Sequence, residues 1–295
     1  MPILCKLQFE AKNRHEGVAS YKTNISMQTT PIHTLPACAP STEYILRLGD
    51  SSLMLGHRLS EWAGHAPTLE EDIALANVGL DLIGAARLLL AEAGSRFSPA
   101  LSEDDLAYWR EPAAYRNFTM CELPNSGIAK GQHARDYGFT IVRNALYAAY
   151  TAHLWQALSA SKDAALADIA GKCVKEARYH YTHASSWVVR LGDGTPVSHS
   201  KAQAALDALW PYCNEWFTDD ATSLDAASQG ICPTNASLKA AWLSTIERLL
   251  ATATLKRPAD SAYAPRGTQG AHSEHLGFLL AEMHSVARAH PGASW

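Results

Sequence analysis

Residues 44–94 constrain this chain most. The run YILRLGDSSLMLGHRLSEWAGHAPTLEEDIALANVGLDLIGAARLLLAEAG reads as two antiparallel helices joined by a tight turn. Gly64 ends one apolar pattern and Pro67 forbids its continuation. Thr68 stands three residues before Glu71, the spacing of a capping box, in which the hydroxyl takes the Glu71 amide and the carboxylate reaches back. The upstream helix sets Ile45, Leu48, Leu55, Leu59 and Trp62 on one stripe. Downstream, Ile73, Leu75, Val78, Leu80, Leu82, Ile83, Leu88, Leu89 and Leu90 cover most of the circumference, which predicts a buried central helix.

The remaining chain continues in helices. Ser102 with Asp105 caps a short one, and Pro112 and the run Pro124–Gly127 mark loops. Long helices are expected over about 132–159 and 163–191, the second ending at Gly192–Gly194. Three more follow, over about 198–217, 237–255 and 273–289, with a Pro/Gly-rich loop at 258–270. Alanine and leucine are abundant and β-branched residues sparse, so the expected class is all-α. Four long helices with a longer link after the second predict a four-helix bundle with additional C-terminal helices. Residues 1–40 show no helix with a buried face and no apolar segment of a signal peptide, and are expected to be a disordered tail. Met27 is an alternative start, and the helical domain is expected to span 41–295.

A formal charge of −4 gives no basic footprint for nucleic acid and no polybasic membrane patch. Six scattered cysteines without a C-x-x-C pair suit a reduced cytoplasm better than a disulfide framework. No uninterrupted apolar run reaches the roughly 18 residues of a membrane span.

A long four-helix bundle raises di-iron carboxylate chemistry, which needs a Glu-x-x-His pair on each of two helices. The whole chain contains no Asp or Glu three residues before a His; Ala177 holds that place before His180. The nearest approach is KEARYHYTHASSW, where Glu176, His180 and His183 share a seam with Ile169, Cys173 and Trp187. Those three side chains are either metal ligands or, more plainly, members of a buried polar network or of a partly exposed edge. Asn77 and Asp81, one turn apart, face inward in such a network or line a wet stripe with Glu70 and Glu92; Asp50 is in the same position. No G-x-S-x-G elbow, P-loop or G-x-G-x-x-G is present. Ser273-Glu274-His275 reads as a helix start, because neighbours on a helix do not face one another. Trp109, Trp155, Trp187, Trp210 and Trp242 fall at apolar helical positions and are assigned to core or interface.

Three stretches resemble the C subunits of the phenylacetyl-CoA epoxidase complex: LRLGDSSLMLGHRLSEWAGHAPTLEEDIALANVGLDLIGAAR, KEARYHYTHASSWVVRLGDGT and EHLGFLLAEMHSVARAHPGASW. The likeness covers about 43–295. It implies a ferritin-like fold and a role in oxygen- and NADPH-dependent epoxidation of the phenylacetyl-CoA ring. It also implies a partner, the A subunit, that carries the di-iron centre, receives electrons through a separate reductase, and is supported by a non-catalytic C subunit. Aligned with the A-type pattern, the metal-binding positions fall on Leu82, Ala85 and Ala177, with His180 kept. No catalytic or cofactor-binding residue carries over, and Asp50, Asp81, Glu176 and His180 are left as a candidate vestigial polar cluster. Two other readings are a metal-binding enzyme in its own right, using Glu176, His180 and His183, and an acyl-CoA-binding module.

Overall fold

The structure, a computed structural model, describes residues 32, 34–128, 134–291 and 293. Among them the regular elements are all helical. α1 (Pro40–Ser60) and α2 (Leu69–Ser95) form one antiparallel hairpin, and after α3 (Glu103–Tyr108) and α4 (Thr119–Glu122) a second hairpin is made by α5 (Tyr137–Leu158) and α6 (Ala164–Gly192). α2 packs on α6, which closes the four long helices into a bundle. The C-terminal part adds α7 (Pro196–Leu209), α8 (Asn214–Phe217), α9 (Ala221–Ser228), α10 (Asn235–Thr252) and α11 (Glu274–Ala289) around it. This is the all-α architecture expected of a ferritin-like chain.

The helix starts follow the local chemistry. Asp136, Asp163 and Ser273 each accept a backbone N–H at the start of α5, α6 and α11, and Ser102 forms a full capping box with Asp105. The expected single helix over 198–217 is divided. Pro211 cannot continue an α-helix, so a 3-10 turn at Trp210–Cys213 separates α7 from α8. At α2 half of the expected capping box is made. The Thr68 hydroxyl accepts the Glu71 N–H, but the Glu71 carboxylate turns inward, and Asp72 closes the turn instead by accepting the N–H groups of Gly64 and His65. Gly64 itself has φ of 77°, the left-handed value a glycine adopts at low cost.

The two helices of the first hairpin exchange their expected roles. α1 is the buried central rod, touching α2, α4, α9 and α11. α2, expected to be buried all round, is an outer helix that leaves Leu69, Ile73, Leu80 and Leu88 exposed. By length and composition α2 is apolar enough to cross a membrane, and it lies here packed against α1 and α6. α1 is buried although it carries Arg47, Asp50 and Arg58, because each is paired inside the fold. Arg47 binds Asp220 and Glu43, Arg58 donates to the Glu122 and His275 carbonyls, and Asp50 takes Arg110. α1 and α2 approach closely where Gly56 meets Gly79. A Cβ on Gly56 would sit 2.8 Å from the Ile83 side chain and 3.2 Å from the Gly79 carbonyl oxygen.

Most of the expected N-terminal tail, residues 1–31 and 33, lies outside the described residues, as does Gln132 at the expected start of the third long helix. Ile32 does not behave as a tail. It is buried, and its N–H and carbonyl bond the backbone of Trp109 and Glu111.

α11 reaches back onto the N-terminal half. Arg288 donates to the carbonyls of Tyr108 and Arg110, and His284 Nε2 donates to the Tyr115 hydroxyl at 2.8 Å while that hydroxyl donates to Ala107. Burial, and then the charge of Arg288, hold the His284 imidazole down to about 4. The unfolded chain takes up this proton near 6.5, the native one only near 4. Stability is therefore full above about 6.5 and falls as pH drops toward about 4, by of order 2 kcal/mol after allowance for solvent screening. Denaturant titrations between those two limits should show a shallower pH slope for His284→Gln than for the native chain.

Candidate functional site

The residues singled out in the sequence meet mainly in the seam between α2 and α6. At helical spacing, Glu71, Asp81, Leu82 and Ala85 of α2 face α6, which presents Cys173, Glu176, Ala177, His180 and His183 in return. Ser52 of α1 and Tyr147, Thr151 and Trp155 of α5 complete the floor. These groups, apart from Glu71 and His183, surround a cavity of about 20 Å³, room for a single water.

Two histidine–carboxylate pairs lie along the seam. His180 Nε2 stands 2.9 Å from Asp81 Oδ2, and His183 Nε2 stands 2.9 Å from Glu71 Oε2. Glu71 Oε2 also accepts the Tyr137 hydroxyl. Tyr137 in turn packs edge-on between Trp62 and Trp187, at 5.8 and 5.4 Å between ring centroids, and these rings cover that end of the seam.

Electrostatics keep the groups in resting protonation states. Burial lowers the affinity of the His180 ring for a proton, against the opposing pull of Asp81, so near neutral pH the ring is neutral and Nε2 donates to the carboxylate. Burial and then the charge of Asp81 push the Glu176 carboxyl up, and burial and then Glu176 push the Cys173 thiol up to about 12. Cys173 is thus a thiol and not a thiolate nucleophile.

Asp50 does not join this cluster. It is fully buried on the other side of α1, in a bidentate pair with the equally buried Arg110, and accepts the Arg116 N–H at 2.8 Å. Asn77 faces outward from α2, so of the Asn77–Asp81 pair only Asp81 enters the polar network. His180 and His183 turn to different carboxylates instead of converging with Glu176. Among the described residues no group of three or more His, Cys, Asp or Glu is arranged to hold a metal ion. Leu82, Ala85 and Ala177, the positions at which the resemblance leads us to expect the metal ligands of the A-type pattern, line the same cavity as His180. A two-metal centre does not fit that set, since three of the four side chains offer no donor atom.

Sequence reasoning missed Glu71 as a partner of His183, because its position three after Thr68 is explained by capping alone. It also missed the buried carboxylates outside the seam. Glu122 accepts from Asn117, His272 and the Ser273 N–H, and Glu215 accepts the N–H groups of Thr119 and Thr268. Both pin loops, and no motif signals them.

A family model described as phenylacetic acid catabolic protein matches residues 27–295. The C subunit of 1,2-phenylacetyl-CoA epoxidase from Escherichia coli (strain K12) is 41% identical over 254 residues, covering 86% of this chain and 98% of that protein. The chain belongs to the phenylacetic acid catabolic protein family. The family match covers every element of the bundle and the whole α2–α6 seam. The chain is thus a phenylacetic acid catabolic protein whose bundle carries apolar side chains at three of the four positions just described.

Proposed function

We propose that this chain is the non-catalytic C subunit of a phenylacetyl-CoA epoxidase, pairing with and stabilising a di-iron catalytic A subunit inside a larger complex. The relative from Escherichia coli supports the assignment to the complex. The observation that carries the non-catalytic part is the lining of the α2–α6 cavity, with Leu82, Ala85 and Ala177 beside His180. The di-iron centre, and the electrons that come from NADPH through a separate reductase, belong to the partner on this reading. Keeping several carboxylates in a low-dielectric bundle is costly. A sister bundle with a greasier centre offsets that cost by holding the partner's helices across a wide permanent interface. The setting is the cytoplasm, in keeping with the free thiols of Cys38, Cys121, Cys173, Cys213 and Cys232.

The two other readings draw less support. Metal binding by Glu176, His180 and His183 is opposed by the separate engagement of the two imidazoles. An acyl-CoA site within the α2–α6 seam is opposed by the size of that cavity, which is far below the several hundred Å³ of small-molecule sites. The test is to produce the A subunit with and without this chain, and to measure iron in each protein alone. The expected result is iron well below one per chain here, and an A subunit that loses solubility, iron loading or turnover when expressed alone. Full activity of the lone A subunit would end the support role, and stoichiometric iron in this chain alone would end the non-catalytic one.

A further inference from the structure

A cavity of about 400 Å³ opens where the start of α5, the end of α6 and the start of α7 meet. Unlike the water-sized space in the seam, it has the volume of a small-molecule site. Tyr137 and Leu191 give it apolar surface, Ser198 a hydroxyl, and Arg135 and Lys201 two positive charges.

The charges decide what kind of molecule fits. Arg135 and Lys201 are exposed, and among the described residues neither forms an ion pair or a hydrogen bond. Arg190 adds a third cation nearby. It lies over the Trp187 ring at 4.9 Å, has no carboxylate partner among the described residues, and its charge reaches the Tyr137 phenol. The carboxylates of the neighbourhood do not cancel this set. Asp136 lines the cavity, but its Oδ1 accepts the Phe139 N–H as the cap of α5. Glu71 is buried in the α2–α6 seam, where it accepts the Tyr137 hydroxyl and faces His183. Asp193, exposed in the turn between α6 and α7, pairs with none of the three cations. A cationic ligand would be repelled here, and a neutral one would leave the charges unused.

A phosphate group suits these side chains. Arginine holds phosphate through its planar fork and lysine as a point charge. A phosphate monoester carries the charge that two cations balance, which a single carboxylate does not. A bare phosphate ion would leave the apolar surface and most of the volume unfilled. We infer that this cavity binds an organic phosphate, its phosphate held by Arg135 and Lys201 and its organic part lying against Tyr137 and Leu191. The inference is independent of the pairing with an A subunit: either can fail and leave the other standing.

The experiment is calorimetric titration of the full chain with three probes: coenzyme A, which carries a phosphate monoester and a pyrophosphate; pantetheine, which lacks both; and inorganic phosphate. Coenzyme A should bind saturably at a single site, and the other two at least ~10-fold more weakly. Arg135→Gln and Lys201→Gln should each weaken coenzyme A binding by about tenfold, and Arg135→Glu with Lys201→Glu by at least ~100-fold, with the losses shrinking at high salt. Both side chains are exposed, so the variants should fold, which circular dichroism checks. Lys239→Gln should bind as the native chain does, since Lys239 is exposed near the start of α10 and it is Thr254, just past the other end of that helix, that bonds Gly192. Absence of saturable coenzyme A binding, or native affinity in the Arg135→Glu, Lys201→Glu double variant, would overturn the site. Pantetheine binding as tightly as coenzyme A would overturn the phosphate, and inorganic phosphate binding as tightly would overturn the organic part. An equal loss in Lys239→Gln would show diffuse charge attraction in place of a site, and overturn the inference as well.

Discussion

Trp216→Ala should lower the unfolding free energy by about 3–5 kcal/mol, measured by denaturant titration. Trp216 is fully buried where α8 meets α5 and α10. Its ring stacks on Tyr150 at 5.0 Å, meets Tyr147 and Trp242 edge-on at 5.8 and 6.0 Å, and adjoins Phe217 at 6.2 Å. Trp242 donates its Nε1–H to the Leu146 carbonyl, so the cluster also fixes α10 on α5. Removing the indole opens a void among rings held by other helices, which limits collapse. The indole N–H of Trp216 has no acceptor. Trp216→Phe therefore loses volume but no hydrogen bond, and its cost should stay below about 2 kcal/mol. Equal losses for the two variants would show that the site is more plastic than its packing implies.

Asp50→Ala should be of similar size, about 3–5 kcal/mol, for an electrostatic reason. It would leave the Arg110 guanidinium completely buried, with only the Leu106 and Ala114 carbonyls and the face of Tyr115 around it. The Arg116 N–H would lose its acceptor too. Replacing both charges, in Asp50→Leu with Arg110→Met, should recover much of the loss, because a matched apolar pair removes the desolvation penalty together with the attraction. If the single and double variants unfold at the same denaturant concentration, the stranded cation is not the cause.

These two sites illustrate what the sequence could and could not disclose. The hairpins, the caps at Ser102 and Ser273, the start of α6 at Asp163, and the all-α class follow from local rules and are readable, whereas α5, expected from about 132, starts only after Asp136. The lack of Glu-x-x-His was also readable, because it concerns residues three apart. The roles of α1 and α2 were not. Hydrophobicity alone marks α2 as core and α1 as half-solvated, but the polar residues of α1 find partners 60 to 173 positions away, at Arg110 and Asp220. Pairings of that separation leave no trace in a window of a single helix. The same holds for Glu71, whose place beside Thr68 hides its bond to His183, 112 residues on. Asp50 was grouped with Asp81, Glu176 and His180 by type and position. A half-turn of α1 sends it to another network.

The backward reach of α11 has a bearing on how this polypeptide comes off the ribosome. Arg58 and the carbonyls of Tyr108 and Arg110 belong to the first half of the chain, yet they bond His275 and Arg288, which are made near the end of synthesis. The earliest hairpin thus waits through most of translation with its final contacts unmade. A message cut short before α11 would release a product whose unfinished part lies not at a dispensable edge but against the central rod.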